Sequence, residues 1–202
     1  MKILAVDTST KIGSIALLDG ANVISEMALN IEVTHSEKLL PAIEKIFAKV
    51  GWDFSELEGL AVAIGPGSFT GLRIGLATMK GFAQAQKLPL VGVSSLMALA
   101  TSASTSDKPV VAVLKAGRGE VYASAVLFKD GILNKIILEE QAINPELLRK
   151  TLTSYEPCLT VGEEQIKARS VGILGLEKLK RGEGKNWAGL VPNYLRKSDA
   201  EK

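Results

Sequence analysis

The sequence predicts an α/β protein in two lobes, each a mixed sheet flanked by helices, the second lobe reduced. Two observations carry this. A three-strand opening with an Asp-Gly turn between its second and third strands occurs twice, near the start and again after residue 109. Each opening is followed by alternating helix and strand signals, the pattern that builds sheets covered by helices. The chain is also long enough to bury a real core, with 47% apolar against 23% charged residues over 202 positions.

The elements follow in order. Lys2 to Val6, Ser14 to Leu18 and Val23 to Leu29 read as strands, with Asp19-Gly20 as the hairpin turn. Thr34-His35-Ser36-Glu37 fits a capping box, and Leu39, Leu40, Ile43, Ile46, Phe47 and Val50 follow at helical spacing until Gly51 ends the run. Leu60 to Ile64 is a buried strand, Thr70 to Gln86 a helix, Leu90 to Val93 a strand and Ser95 to Ala103 a short helix. Thr101 to Pro109 is rich in Ser and Thr without an apolar period, and reads as a hinge. This divides a first lobe, residues 1–105, from a smaller second lobe, residues 106–202, whose last segment is expected to pack back on the first. In that lobe Val110 to Leu114, Val121 to Phe128 and Ile132 to Leu138 repeat the opening, with Asp130-Gly131 as the turn. Asn144 caps a helix through Thr153, and Leu159 to Val161 is a further strand.

Composition excludes several classes. The formal charge of +2 spreads 24 basic residues among 22 acidic ones, so the concentrated basic face of a nucleic-acid domain is not expected. The single cysteine, Cys158, excludes an internal disulfide framework and suits a reducing cytoplasm; it reads as a small residue buried in an apolar strand. The apolar start is cut by Asp7, and no run approaches the ~20 residues of a membrane helix, so a cytoplasmic protein without membrane contact is expected.

Gly65-Pro66-Gly67-Ser68-Phe69-Thr70-Gly71-Leu72-Arg73-Ile74-Gly75 lies between a strand and a helix and has two readings. A glycine turn there can bring backbone N–H groups to a phosphate. The Walker lysine is missing, however, since Leu72 and Arg73 follow Gly71. Alternatively, Gly67, Gly71 and Gly75 recur every fourth residue and leave a strip free of side chains where another backbone approaches. Each helical glycine costs roughly 1 kcal/mol against alanine, so the strip needs a reason.

This stretch, with Asp7-Thr8-Ser9-Thr10, His35-Ser36-Glu37, Val91 to Leu96, Gly119-Glu120-Val121-Tyr122 and Pro192-Asn193-Tyr194-Leu195-Arg196, resembles the bacterial TsaB family, also called YeaZ. The matches run nearly end to end and are densest over residues 1–125. The resemblance implies the two-lobed actin and sugar-kinase fold. It implies a non-catalytic partner of TsaD, the subunit that transfers a threonylcarbamoyl group from its adenylate to the N6 of an adenine in transfer RNAs reading codons that start with A. The ATPase TsaE completes the assembly, and transfer RNA is met only through the complex. The implied contact with TsaD, or with a second copy in a homodimer, uses the helices over residues 36–50 and 70–86, with Leu39, Ile43, Gly71, Arg73, Gly75, Leu76 and Met79 as its residues.

Nucleotide-binding members of that fold carry Asp, any residue, Gly, then Thr or Ser at the first turn. Here Ser9 replaces the glycine, so Asp7, Thr8, Ser9 and Thr10 read either as a vestigial nucleotide site or as an Asx turn closing a strand. The corresponding acid of the second lobe is replaced by Lys115, and Lys115-Ala116-Gly117 departs from the family's Asp-Ala-Arg. ATP with magnesium is therefore not expected as a cofactor. Nor is a transition metal, since His35 is the sole histidine and Leu39 stands one helical turn on. Ser68, Ser94 and Ser95 lack a nucleophile elbow. Arg73 is either an interface clamp or the partner of a carboxylate such as Glu37 or Glu44. Glu120 and Tyr122 share a strand face. Two rivals remain: a small ATP-binding enzyme of the same fold, and an inactive peptidase relative.

Overall fold

A computed structural model describes residues 1–30, 35–165 and 167–196, with side chains at all of these except Asn30 and residues 35–37. The first lobe opens as expected. Strands β1 (Lys2–Asp7), β2 (Ile12–Asp19) and β3 (Asn22–Asn30) form an antiparallel meander. Helix α1 (His35–Val50), strand β4 (Gly59–Gly65), helix α2 (Phe69–Gln86), strand β5 (Leu90–Ser94) and helix α3 (Ser95–Thr101) follow. The five-stranded sheet has the order β3-β2-β1-β4-β5, with β4 and β5 parallel to β1. Period two sorts β1 between two cores. Leu4 and Val6 join Leu39, Ile43, Ile46, Leu76 and Met79 under α1 and α2. Ile3 and Ala5 face the opposite side with Ala61, Ala63 and Val91.

The second lobe repeats the plan with one strand fewer. Strands β6 (Val110–Gly117), β7 (Glu120–Lys129) and β8 (Ile132–Ile143) form a second meander, and helix α4 (Pro145–Leu152) leads to β9 (Leu159–Val161). Their order, β8-β7-β6-β9, is the first sheet's order truncated by its last strand, so both lobes are mixed sheets flanked by helices and the second is the reduced one, as the sequence predicts. Asn144 caps α4 through Oδ1, as read from sequence. Helix α3 packs on one face of this sheet and α4 on the other.

One element was not legible. Helix α5 (Ala168–Lys180) returns to the first lobe and covers the sheet face opposite α1 and α2, while the second sheet's last strand ends at Val161. Gly172 and Gly175 break its apolar period, and both are there for close approach. A Cβ on Gly172 would stand 2.3 Å from Leu18 Cδ1, and one on Gly175 2.4 Å from the Ala61 methyl. Among the described residues no helix is long and apolar enough to cross a membrane.

Candidate functional site

The end of β1, the turn after it and the start of α2 form one buried polar unit. Asp7, Thr8, Ser9 and Thr10 are all nearly inaccessible. The Ser9 N–H donates to Asp7 Oδ1 at 2.6 Å, the Asx turn that was one of the two sequence readings. Thr10 Oγ1 donates to the Ile12 carbonyl at 2.9 Å, closing the turn toward β2.

This turn plugs the glycine-rich loop. The Ser68 N–H donates to the Ser9 carbonyl at 2.7 Å, and Thr8 Oγ1 donates to the Gly71 carbonyl at 2.7 Å. The glycines make the contact possible. A Cβ on Gly67 would stand 2.3 Å from Ser9 O, and one on Gly75 2.2 Å from Thr8 Oγ1. Ser68 caps α2 through Oγ, accepting from the Gly71 N–H at 3.2 Å. The strip Gly67, Gly71 and Gly75 is thus a seat for backbone and side chains of this chain's own first turn. That corrects the expected partner contact at Gly71 and Gly75. The same correction applies to Leu39, Ile43, Leu76 and Met79, which are buried in the core beneath α1 and α2. Apolar spacing marks the inward face of an amphipathic helix, and here that face meets the sheet.

Arg73 is exposed, and its contacts among the described residues are to aromatic side chains. Its Nε donates to the Tyr194 hydroxyl at 3.0 Å, and its guanidinium lies 3.7 Å from the centre of the Phe69 ring. Phe69 and Tyr194 are themselves stacked at 5.0 Å. Tyr194 belongs to the late Pro-Asn-Tyr-Leu-Arg motif, which explains why that motif and the glycine loop occur together. The Asn193 N–H donates to the Ile64 carbonyl at 2.7 Å, and Arg196 Nη1 donates to the Ala116 carbonyl at 3.4 Å while lying 3.5 Å from Glu120 Oε2. Glu120 is therefore a clamp for Arg196, and Tyr122, on the same strand, packs against the core cluster that includes Leu96 and Leu99.

Two further groups escaped the sequence reading. Lys167, at the start of α5, is fully buried with its ammonium 3.5 Å from Asp7 Oδ2 and donating to Thr10 Oγ1 at 3.1 Å. Glu140, on β8, accepts a hydrogen bond from Ser94, the residue that caps α3; burial outweighs that bond and raises its carboxyl above the usual range. No local signal marks either, because each partner comes from a distant part of the chain.

The remaining candidates are apart from this unit. The Lys115 side chain is exposed, and its backbone N–H donates to Glu163 Oε1 at 2.6 Å. Cys158 is half-buried rather than buried and lies just before β9; burial and the nearby Glu156 push its thiol up, away from nucleophilic character. The capping box over residues 34–37, including the His35 side chain, lies outside the described residues. Among the described residues no three His, Cys, Asp or Glu side chains converge as a metal site.

ATP with magnesium, which the fold family implies, does not fit this geometry. The ammonium of Lys167 stands against the carboxylate that would order the metal, and the Ser9 carbonyl takes the Ser68 N–H that a phosphate would need.

Comparison with known proteins agrees with the motifs. A family model for TsaD, tRNA N6-adenosine threonylcarbamoyltransferase, matches residues 23–154. The tRNA threonylcarbamoyladenosine biosynthesis protein TsaB of Bacillus subtilis is 29% identical over 221 residues, covering 100% of this chain and 96% of that protein. The protein of the same name from Escherichia coli is 38% identical over 124 residues, covering 60% of this chain and 53% of its own length. In structure, YeaZ from Pseudomonas aeruginosa superposes with a TM-score of 0.80 at 26% identity, over 96% of this chain and 99% of that one.

Proposed function

The chain belongs to the TsaB (YeaZ) family and so has a role in tRNA modification, and from that premise we propose that it is a non-catalytic subunit which stabilises and activates TsaD in forming N6-threonylcarbamoyladenosine. The ATPase TsaE joins them, and transfer RNA is engaged through the assembly. The observation that carries the non-catalytic part is the plugged loop. A phosphate cradle needs free, convergent N–H donors, whereas here the Ser68 N–H is spent on Ser9 and the Gly71 N–H on Ser68.

Contact with TsaD uses α1 and α2 as the family resemblance implies, but by their outward faces. Thr70, Ala77 and Gly81 of α2 are exposed along one line, with half-buried Ile74 beside them, and Leu40 of α1 is 48% exposed. Gly81 is the informative member. A Cβ there would meet nothing within 4 Å, so the fold of this chain gives no reason for a glycine that costs its helix about 1 kcal/mol. A neighbouring helix pressed to that line gives one.

The test is affinity between the purified chain and TsaD from the same organism. Gly81→Arg and Leu40→Asp, each on the exposed face, are expected to weaken association at least tenfold while leaving the isolated chain folded. Unchanged affinity in both variants moves the contact off these helices, and absence of any association removes the partner reading. ATP hydrolysis by the isolated chain is expected at the rate of a buffer control with magnesium; turnover lost on Asp7→Asn favours the enzyme rival instead.

A further inference from the structure

The reading above concerns the phosphate side of the first-lobe turn; Lys167 concerns its cation side. The Asp7 carboxylate is 0% exposed. Its Oδ1 is satisfied by the Ser9 N–H; among the described residues Oδ2 has no hydrogen-bond partner, and the Lys167 ammonium lies 3.5 Å from it. A carboxylate buried without a counter-charge is costly, and the Lys167 ammonium supplies that charge within the fold.

Lys167 is held there by more than the charge. Its Nζ donates to Thr10 Oγ1 at 3.1 Å, and Ala168 N–H donates to Ser14 Oγ at 3.0 Å, pinning the first turn of α5 to β2. Gly172 and Gly175 then let α5 lie close against Leu18 and Ala61 of the sheet. A magnesium or calcium ion on Oδ2 would sit about 2.0–2.6 Å from it. The Lys167 ammonium, 3.5 Å from the same oxygen, repels such an ion.

We propose that Lys167 is the turn's resident counter-ion, which closes the Asp7 carboxylate to divalent cations and to metal-bound phosphate and turns the first-lobe site into a fixed seat for α2. The chain of contacts runs from Lys167 to Asp7 and Thr10, through the turn, to Thr8 and Ser9, and from these to Gly71 and Ser68 at the start of α2. The position of α2 is thereby fixed without nucleotide.

The test is made on the isolated chain, needs no partner subunit, and so fails separately from the proposed function. Lys167→Met keeps the length of the side chain but leaves Asp7 buried and unpaired, and is expected to lower the melting temperature by about 10 °C. Asp7→Asn/Lys167→Met removes both charges and is expected to recover at least half of that loss. A double variant no more stable than Lys167→Met overturns the pairing, including the case in which neither folds. Mn2+ serves as the probe of the closed site: the unmodified chain is expected to show no saturable Mn2+ signal by electron paramagnetic resonance that Asp7→Asn removes. Mn2+ binding lost in Asp7→Asn overturns the proposal.

Discussion

Thr8 and Gly75 show how one missing methyl group can decide the use of a whole loop. The Thr8 hydroxyl reaches the Gly71 carbonyl because residue 75 has no side chain, its would-be Cβ lying 2.2 Å from Thr8 Oγ1. Gly75→Ala adds about 1 kcal/mol of helix propensity, yet it displaces a buried hydroxyl from its acceptor and crowds the turn, effects of about 1–3 kcal/mol each. The net expectation is destabilisation by roughly 1–3 kcal/mol in chemical denaturation, eased when Thr8→Ala is combined with it. Gly81→Ala is the control on the same helix. Its Cβ meets open space, so the isolated chain is expected to gain up to about 1 kcal/mol, and a loss there would mean that α2 is not seated as described.

At the scale of elements, α3 joins the lobes because its helix serves the second sheet while its cap binds Glu140 of β8. Burial raises the Glu140 carboxyl, so its folded-state value lies above its unfolded one. Between the two the folded chain binds the extra proton, and stability therefore falls as pH rises through that window, from the ordinary carboxylate range upward. Glu140→Gln keeps an acceptor for Ser94 and removes the charge. Its melting temperature is expected to be flatter across that window than the parent's, and an unchanged slope would assign the pH dependence to other groups. The strands and turns of both meanders were legible because alternation and Asp-Gly turns are local signals. The direction of α2 was not, since a glycine strip announces a close neighbour without naming it, and Thr8 lies 63 residues from Gly71. Helix α5 was hidden for the same reason, its glycines erasing the apolar period in order to touch Leu18 and Ala61. Lys167 was the least legible, a lysine whose partner Thr10 is 157 residues away.

Across the whole molecule, the segment from Trp187 to Arg196 ties the parts together. Trp187 and Leu190 pack against the core beneath α1 and α2, Lys80 Nζ donates to the Ala188 carbonyl at 2.9 Å, and Asn193 adds a backbone bond to the end of β4. Tyr194 then holds Phe69 and Arg73 at the start of α2, Leu195 enters the core of the second sheet beside α3, and Arg196 clamps the β6–β7 hairpin through Ala116 and Glu120. This strap links the helix proposed to meet TsaD to the second lobe, along a path separate from α3. Arg196→Ala removes only the clamp at the far end, where the exposed ion pair itself contributes about 0–1 kcal/mol, so global stability is expected to change little. Local opening is a different quantity, set by how many contacts hold a segment shut. Hydrogen exchange in Arg196→Ala is expected to quicken in the β6–β7 hairpin and in residues 193–195, whereas Tyr194→Ala is expected to quicken it at the start of α2 as well. If Arg196→Ala loosens the start of α2 as strongly as Tyr194→Ala does, the strap moves as one rigid piece; if neither variant changes exchange at either end, the lobes are held by α3 and the strap carries no coupling.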